Sequence, residues 1–166
     1  MAEKDLVSKE YIEHKGLFNF STVYSFAHSW FRENQYGVNE DKYAEKVTRN
    51  KRKIDIEWKA MKRLSDYFKI EYKVVFEVKE MTEVEAEIDG KKEKMNQGEI
   101  KITITSSLIM DYQSKWDTSP FNRLMRDIYN KYIIPSRVEE KEDEVRTDLT
   151  QFKESLKDLL TMLGRR

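Results

Sequence analysis

The chain has 166 residues, enough for one domain with a sizeable apolar core. Thirty-one Lys and Arg balance thirty-one Asp and Glu, so no overall field selects nucleic acid, an anionic membrane or an acidic tail as partner. Cysteine is absent, which excludes disulfides, thiolate metal sites and a cysteine nucleophile.

The opening residues, MAEKDLVSKE, lack the apolar region of a signal peptide, and no run reaches the roughly eighteen apolar residues of a membrane span. A soluble, cytoplasmic protein is expected. From Lys9 to Phe18 the sequence predicts a strand, with Ile12, His14 and Phe18 on one face and Tyr11 and Leu17 on the other. Ser21 is placed to cap a helix whose apolar face carries Phe20, Val23, Tyr24, Ala27, Trp30 and Phe31, and Gly37 is a suitable end for it. The charged segment from Asp41 to Lys53 is compatible with a strand through Tyr43, Val47 and Arg49.

Alternation then becomes plain. Ile54, Ile56, Trp58 and Ala60 point one way while Asp55, Glu57 and Lys59 point the other, as in a half-buried antiparallel strand. After a turn at LSDY, Phe68, Ile70, Tyr72, Val74, Phe76 and Val78 keep one parity through a long strand, which breaks near Met81 and resumes with Val84, Ala86 and Ile88. IDGK predicts a type I′ hairpin turn, because Asp-Gly tolerates two positive φ values. A second turn is expected at NQGE, releasing a last strand with Ile100, Ile102, Ile104, Leu108 and Met110 inward and Ser106 on the same face. TSPF predicts a helix capped by Ser119 with Pro120 at its first position and a stripe of Phe121, Leu124, Met125, Ile128 and Tyr132. Beyond Pro135 a longer helix carries Val138, Val145, Leu149, Phe152, Leu156, Leu159 and Leu163, with Glu142 where that seam expects an apolar residue. No internal repeat or linker divides the chain, so a single domain over residues 1–166 is expected.

These elements predict an α+β fold in which a curved antiparallel sheet wraps around a long C-terminal helix. Their order resembles the helix-grip fold of the START and Bet v 1-like superfamily, with a first strand, a helix, a meander and a long terminal helix. The resemblance is one of topology and carries no motif residue across; the extra helix from Pro120 to Ile133 departs from the simple pattern. It implies a space between sheet and terminal helix that in many members holds an apolar ligand, while others act as chaperone regulators, cyclases or hydrolases.

No catalytic or cofactor signature stands in the chain. His14 and His28 are its two imidazoles, and no nucleophile or carboxylate accompanies either at a recognised spacing. There is no HExxH, no histidine pair at helical spacing and no EF-hand loop, so neither metal nor cofactor is expected. Glu83, Glu85 and Glu87 read as the solvated face of a strand, and Glu139 to Glu144 as charge favourable to a helix start. TRNKRK, Thr48 to Lys53, is the densest basic run; a solvated hairpin tip is favoured over nucleic-acid binding, since the run is short and the net charge zero.

The aromatic content remains. Trp30, Trp58, Tyr72, Ser106, Tyr112 and Phe152 bring polar tips and rings to the inner face and would line an apolar site. The expected function is a non-enzymatic module holding an apolar small molecule or lipid between sheet and terminal helix. The alternative is an interaction or chaperone-regulator-like domain with a filled core, meeting a protein partner or a second copy through one of its last two helices. An enzyme using His14 is the third reading.

Overall fold

A computed structural model of the chain describes residues 3–65, 67–110, 119–128 and 135–164. The elements follow as β1 (Glu3–Phe18), α1 (Phe20–Glu33), β2 (Gly37–Thr48), β3 (Lys51–Arg63), β4 (Phe68–Ile88), β5 (Lys91–Met110), α2 (Pro120–Ile128) and α3 (Pro135–Gly164). The strands form one open antiparallel sheet in the order β1-β5-β4-β3-β2. β2 to β5 are successive hairpins, whereas β1 lies across the far edge of β5. With α3 against the sheet this is an α+β fold, and its order is consistent with a helix-grip topology. No helix among the described residues is long and apolar enough to cross a membrane.

One face of the sheet carries the core. Ile54, Ile56, Trp58 and Ala60 of β3, and Ile70, Tyr72, Val74, Phe76 and Val78 of β4, are all buried, as their alternation expects. β5 adds Ile100, Ile102, Ile104, Leu108 and Met110. Val23, Ala27 and Phe31 of α1 and Val145, Leu149, Phe152, Leu156 and Leu160 of α3 complete the cluster. On α3 the inward position is Leu160, with Leu159 only half-buried beside it; the side chains of Val138 and Leu163 lie outside the described residues. Lys153 of α3 ties the helix to β1 through Glu10 at 2.8 Å.

Local signals explain most boundaries, and several depart from the sequence reading, among them Arg49, which stands in the β2–β3 turn at φ 52° and not on a strand. The cap of α1 is Asn19, whose side-chain oxygen accepts from the Thr22 amide at 3.1 Å, two positions before Ser21. The helix closes ahead of Gly37. Gln35 takes the left-handed conformation at φ 67°, its amide donates to the Arg32 carbonyl at 3.0 Å, and the Tyr36 amide donates to the Phe31 carbonyl at 2.8 Å. This is a Schellman closure, completed by the Tyr36 and Phe31 rings at 5.5 Å. Gly37 instead opens β2.

The break expected near Met81 is a β-bulge. Glu80 sits at φ 54°, the register against β5 shifts between Lys79 and Thr82, and the strand continues to Ile88. The turn expected at NQGE does not exist, because β5 runs unbroken with Gln97 and Gly98 paired to Leu17 and Gly16 of β1. Gly98 serves the bulge beside it: a Cβ there would stand 2.9 Å from the Lys79 carbonyl oxygen and from Met81 Cα. β1 starts earlier than its weak alternation suggests, since ladder pairing from Glu3 to Ser8 against Met110 to Ser106 defines it. The IDGK turn is as read, with Asp89 at φ 51° and Gly90 at φ 81°.

α2 begins as its sequence predicts, with Ser119 Oγ accepting from the Asn122 amide at 3.1 Å and Pro120 at the first position. Its apolar stripe is not in the core: Phe121 is 67% and Leu124 55% exposed, and Met125 and Ile128 are exposed as well. Tyr132 lies outside the described residues.

Candidate functional site

α1, β4 and α3 bring three of the six expected lining residues into one aromatic group. The Trp30 and Phe152 rings lie 4.6 Å apart, and Phe31 bridges Phe152 at 4.9 Å and Tyr72 at 5.5 Å. Tyr36 closes the group against Tyr72 at 5.2 Å and stacks near Trp30 at 6.2 Å. Trp30 is half-buried, while Phe31, Tyr72 and Phe152 are fully enclosed. Ser106 pairs directly with Tyr72 across the β4–β5 ladder and donates to the Ser8 carbonyl at 3.3 Å.

Trp58 belongs to a second group. It packs edge-on against Tyr24 and Phe76, each at 4.9 Å, with His28 at 5.7 Å. Its indole N–H donates to Glu40 Oε1 at 3.3 Å, the same oxygen that accepts from the Tyr24 hydroxyl at 2.9 Å. Tyr112 lies outside the described residues.

Tyr36, which the sequence reading passes over, is the distinctive member of the first group. It is 5% exposed, and its hydroxyl has no hydrogen-bond partner among the described residues. The neighbouring Tyr72 hydroxyl is satisfied, donating to the Val145 carbonyl at 3.3 Å. Burial pushes both phenols well above the usual tyrosine pKa; the two hydroxyls act on each other next, Tyr72 holding Tyr36 down and Tyr36 pushing Tyr72 further up, and the Asp148 carboxylate adds a smaller rise to each. Asp148 is itself raised, by burial first; Lys62 opposes that next, and Glu144 adds a smaller rise. The Lys62 ammonium in turn lies 5.4 Å from the Tyr36 ring centroid. No sequence signal marks Tyr36: its burial comes from the Schellman closure at Gln35, which folds the residue after the helix end back onto the helix.

His14 is engaged locally. Its Nε2–H donates to the Leu17 carbonyl at 2.8 Å and its ring meets Phe18 edge-on at 6.0 Å. No group of three His, Asp or Glu side chains among the described residues is placed to hold a metal ion. Between β1 and α3 the surface opens into a concavity of about 390 Å3 lined by Ile12, His14, Lys153 and Leu160 among others, and none of the six expected residues lines it.

Neither the protein-family models nor the curated proteins compared with the chain match it. The functional reading therefore rests on the geometry of the chain alone.

Proposed function

We propose that the protein is a non-enzymatic binding module of the START and Bet v 1-like kind, holding an apolar small molecule or lipid between the sheet and α3. The Tyr36 hydroxyl carries this reading: a buried donor with no well-placed hydrogen-bond partner among the described residues, facing only the neighbouring Tyr72 phenol and set in a wall of Trp30, Phe31, Tyr72 and Phe152. Leaving such a group unpaired costs about 1–3 kcal/mol. A ligand with an apolar body and one acceptor oxygen removes that cost on binding, and the half-buried Trp30 is the member of the group nearest solvent.

Native mass spectra of the purified protein, compared with spectra after denaturation, test the reading through release of an apolar compound at fixed ratio. Tyr36→Phe discriminates further. It should abolish retention of the compound and raise the unfolding free energy of the ligand-free protein by about 1 kcal/mol, since the orphan hydroxyl is gone. Retention unchanged in Tyr36→Phe would remove the assignment.

The exposed apolar residues of α2 favour a second reading, an interaction domain with a filled core. Sedimentation of the intact chain distinguishes a self-associating form from a monomer.

A further inference from the structure

The tip of the β2–β3 hairpin gathers six cations. Arg49 and Asn50 form its loop at φ 52° and 67°, closed by the Thr48–Lys51 pair, the geometry of a type I′ turn. Arginine is an unfavourable occupant of a left-handed position, where Asn, Asp or Gly is usual. Lys46 stands directly opposite Lys53 across the hairpin, a like-charge pairing that destabilises the ladder. The β3–β4 register shifts between Arg52 and Ile54, so the bulged Lys79 and Glu80 both oppose the single Lys53.

The outcome is a concavity of about 470 Å3 lined by Lys46, Arg49, Lys51, Arg52, Lys53 and Lys79, with Thr48 and one acid, Glu80. Arg52 reaches Glu45 at 3.7 Å. Lys46, Arg49, Lys51, Lys53 and Lys79 make no ion pair among the described residues.

The β4–β5 hairpin shows that a lysine-rich tip need not be built this way. There Lys92 faces Glu87 and Lys94 faces Glu85 in register, as Lys79 faces Glu99, which itself pairs with Lys15 at 3.3 Å; no like charges stand opposite one another on that hairpin as Lys46 and Lys53 do. At the β2–β3 tip the repulsion is left standing, as it is where an anion completes the charge balance. No aromatic side chain lines the concavity, which leaves no platform for stacked bases and favours a compact anion over a nucleic-acid strand.

We propose that the β2–β3 hairpin tip is a binding site for clustered phosphate groups, carried by a free polyphosphate or by a phosphorylated lipid headgroup. Inorganic tripolyphosphate, titrated into the full chain by calorimetry, should bind at one site with an affinity that falls as salt rises. Lys53→Ala and Lys79→Ala should each weaken it about tenfold, whereas Lys92→Ala at the other hairpin should not. All three positions are exposed, and an unfolding midpoint that does not fall confirms that each variant folds. Absence of binding, an equal loss in Lys92→Ala, or tighter binding of a single-stranded oligonucleotide at the same phosphate concentration would overturn the proposal. Vesicles of phosphatidylcholine with phosphatidylinositol 4,5-bisphosphate identify the source. Capture reversed by tripolyphosphate supports a headgroup, and tripolyphosphate binding without capture supports a free polyphosphate.

Discussion

Gln35 holds a left-handed backbone at φ 67° so that α1 can turn back on itself. An L-residue pays roughly 1–2 kcal/mol for that conformation, and glycine does not. Gln35→Gly should therefore raise the unfolding free energy by about 1 kcal/mol after its own entropy loss, read as a higher urea midpoint at unchanged slope. A lower midpoint would mean that the Gln35 side chain contributes more than its backbone costs. The same turn explains what was legible at this scale. Trp30, Tyr72 and Phe152 lie on recognisable apolar faces and meet in one group, as periodicity can anticipate. Tyr36 lies on neither a helical nor a strand period, and its burial follows from a closure that the sequence Asn34-Gln35-Tyr36-Gly37 does not advertise.

At the scale of the element, paired glycines on neighbouring strands do different work. Gly16 and Gly98 face each other across the β1–β5 ladder. Gly98 is required for space, since a methyl group would collide with backbone of the β4 bulge, whereas Gly16 has open surroundings and a φ of 127°. Gly98→Ala should cost about 1–3 kcal/mol through forced backbone movement, measurable by chemical denaturation. Hydrogen exchange should locate that damage in amides around Lys79 to Thr82, while in Gly16→Ala the strain stays on β1. This is also why NQGE misleads as a turn: its glycine answers a neighbour distant in sequence. Strand alternation from Ile54 to Val78 was readable because burial on one face repeats every second residue. The stripe on α2 was readable too, but periodicity shows that a face is apolar and not what covers it.

For the whole molecule, Tyr36 and Tyr72 tie stability to alkaline pH. Both pKa values are raised in the folded chain, so below the ordinary value of 10 the two phenols are protonated in folded and unfolded forms alike. Above it the unfolded chain releases protons that the folded chain retains, and stability falls as pH rises. Urea midpoints at pH 9, 10 and 11 should decline over that interval, and absorbance near 295 nm should show two of the nine tyrosines silent until the chain unfolds. Tyr36→Phe should flatten the decline. The β3–β4 and β4–β5 hairpins follow from turn chemistry along the sequence, but the β2–β3 turn at Arg49-Asn50 and the place of β1 do not, since Arg49 is no usual turn residue and the partner of β1 is remote. That remoteness has a consequence for a chain emerging from the ribosome. β1 is synthesised first, yet everything from Asn19 to Gly90 must appear before the first residue of β5, so its ladder is completed late and its edge waits unpaired in the meantime.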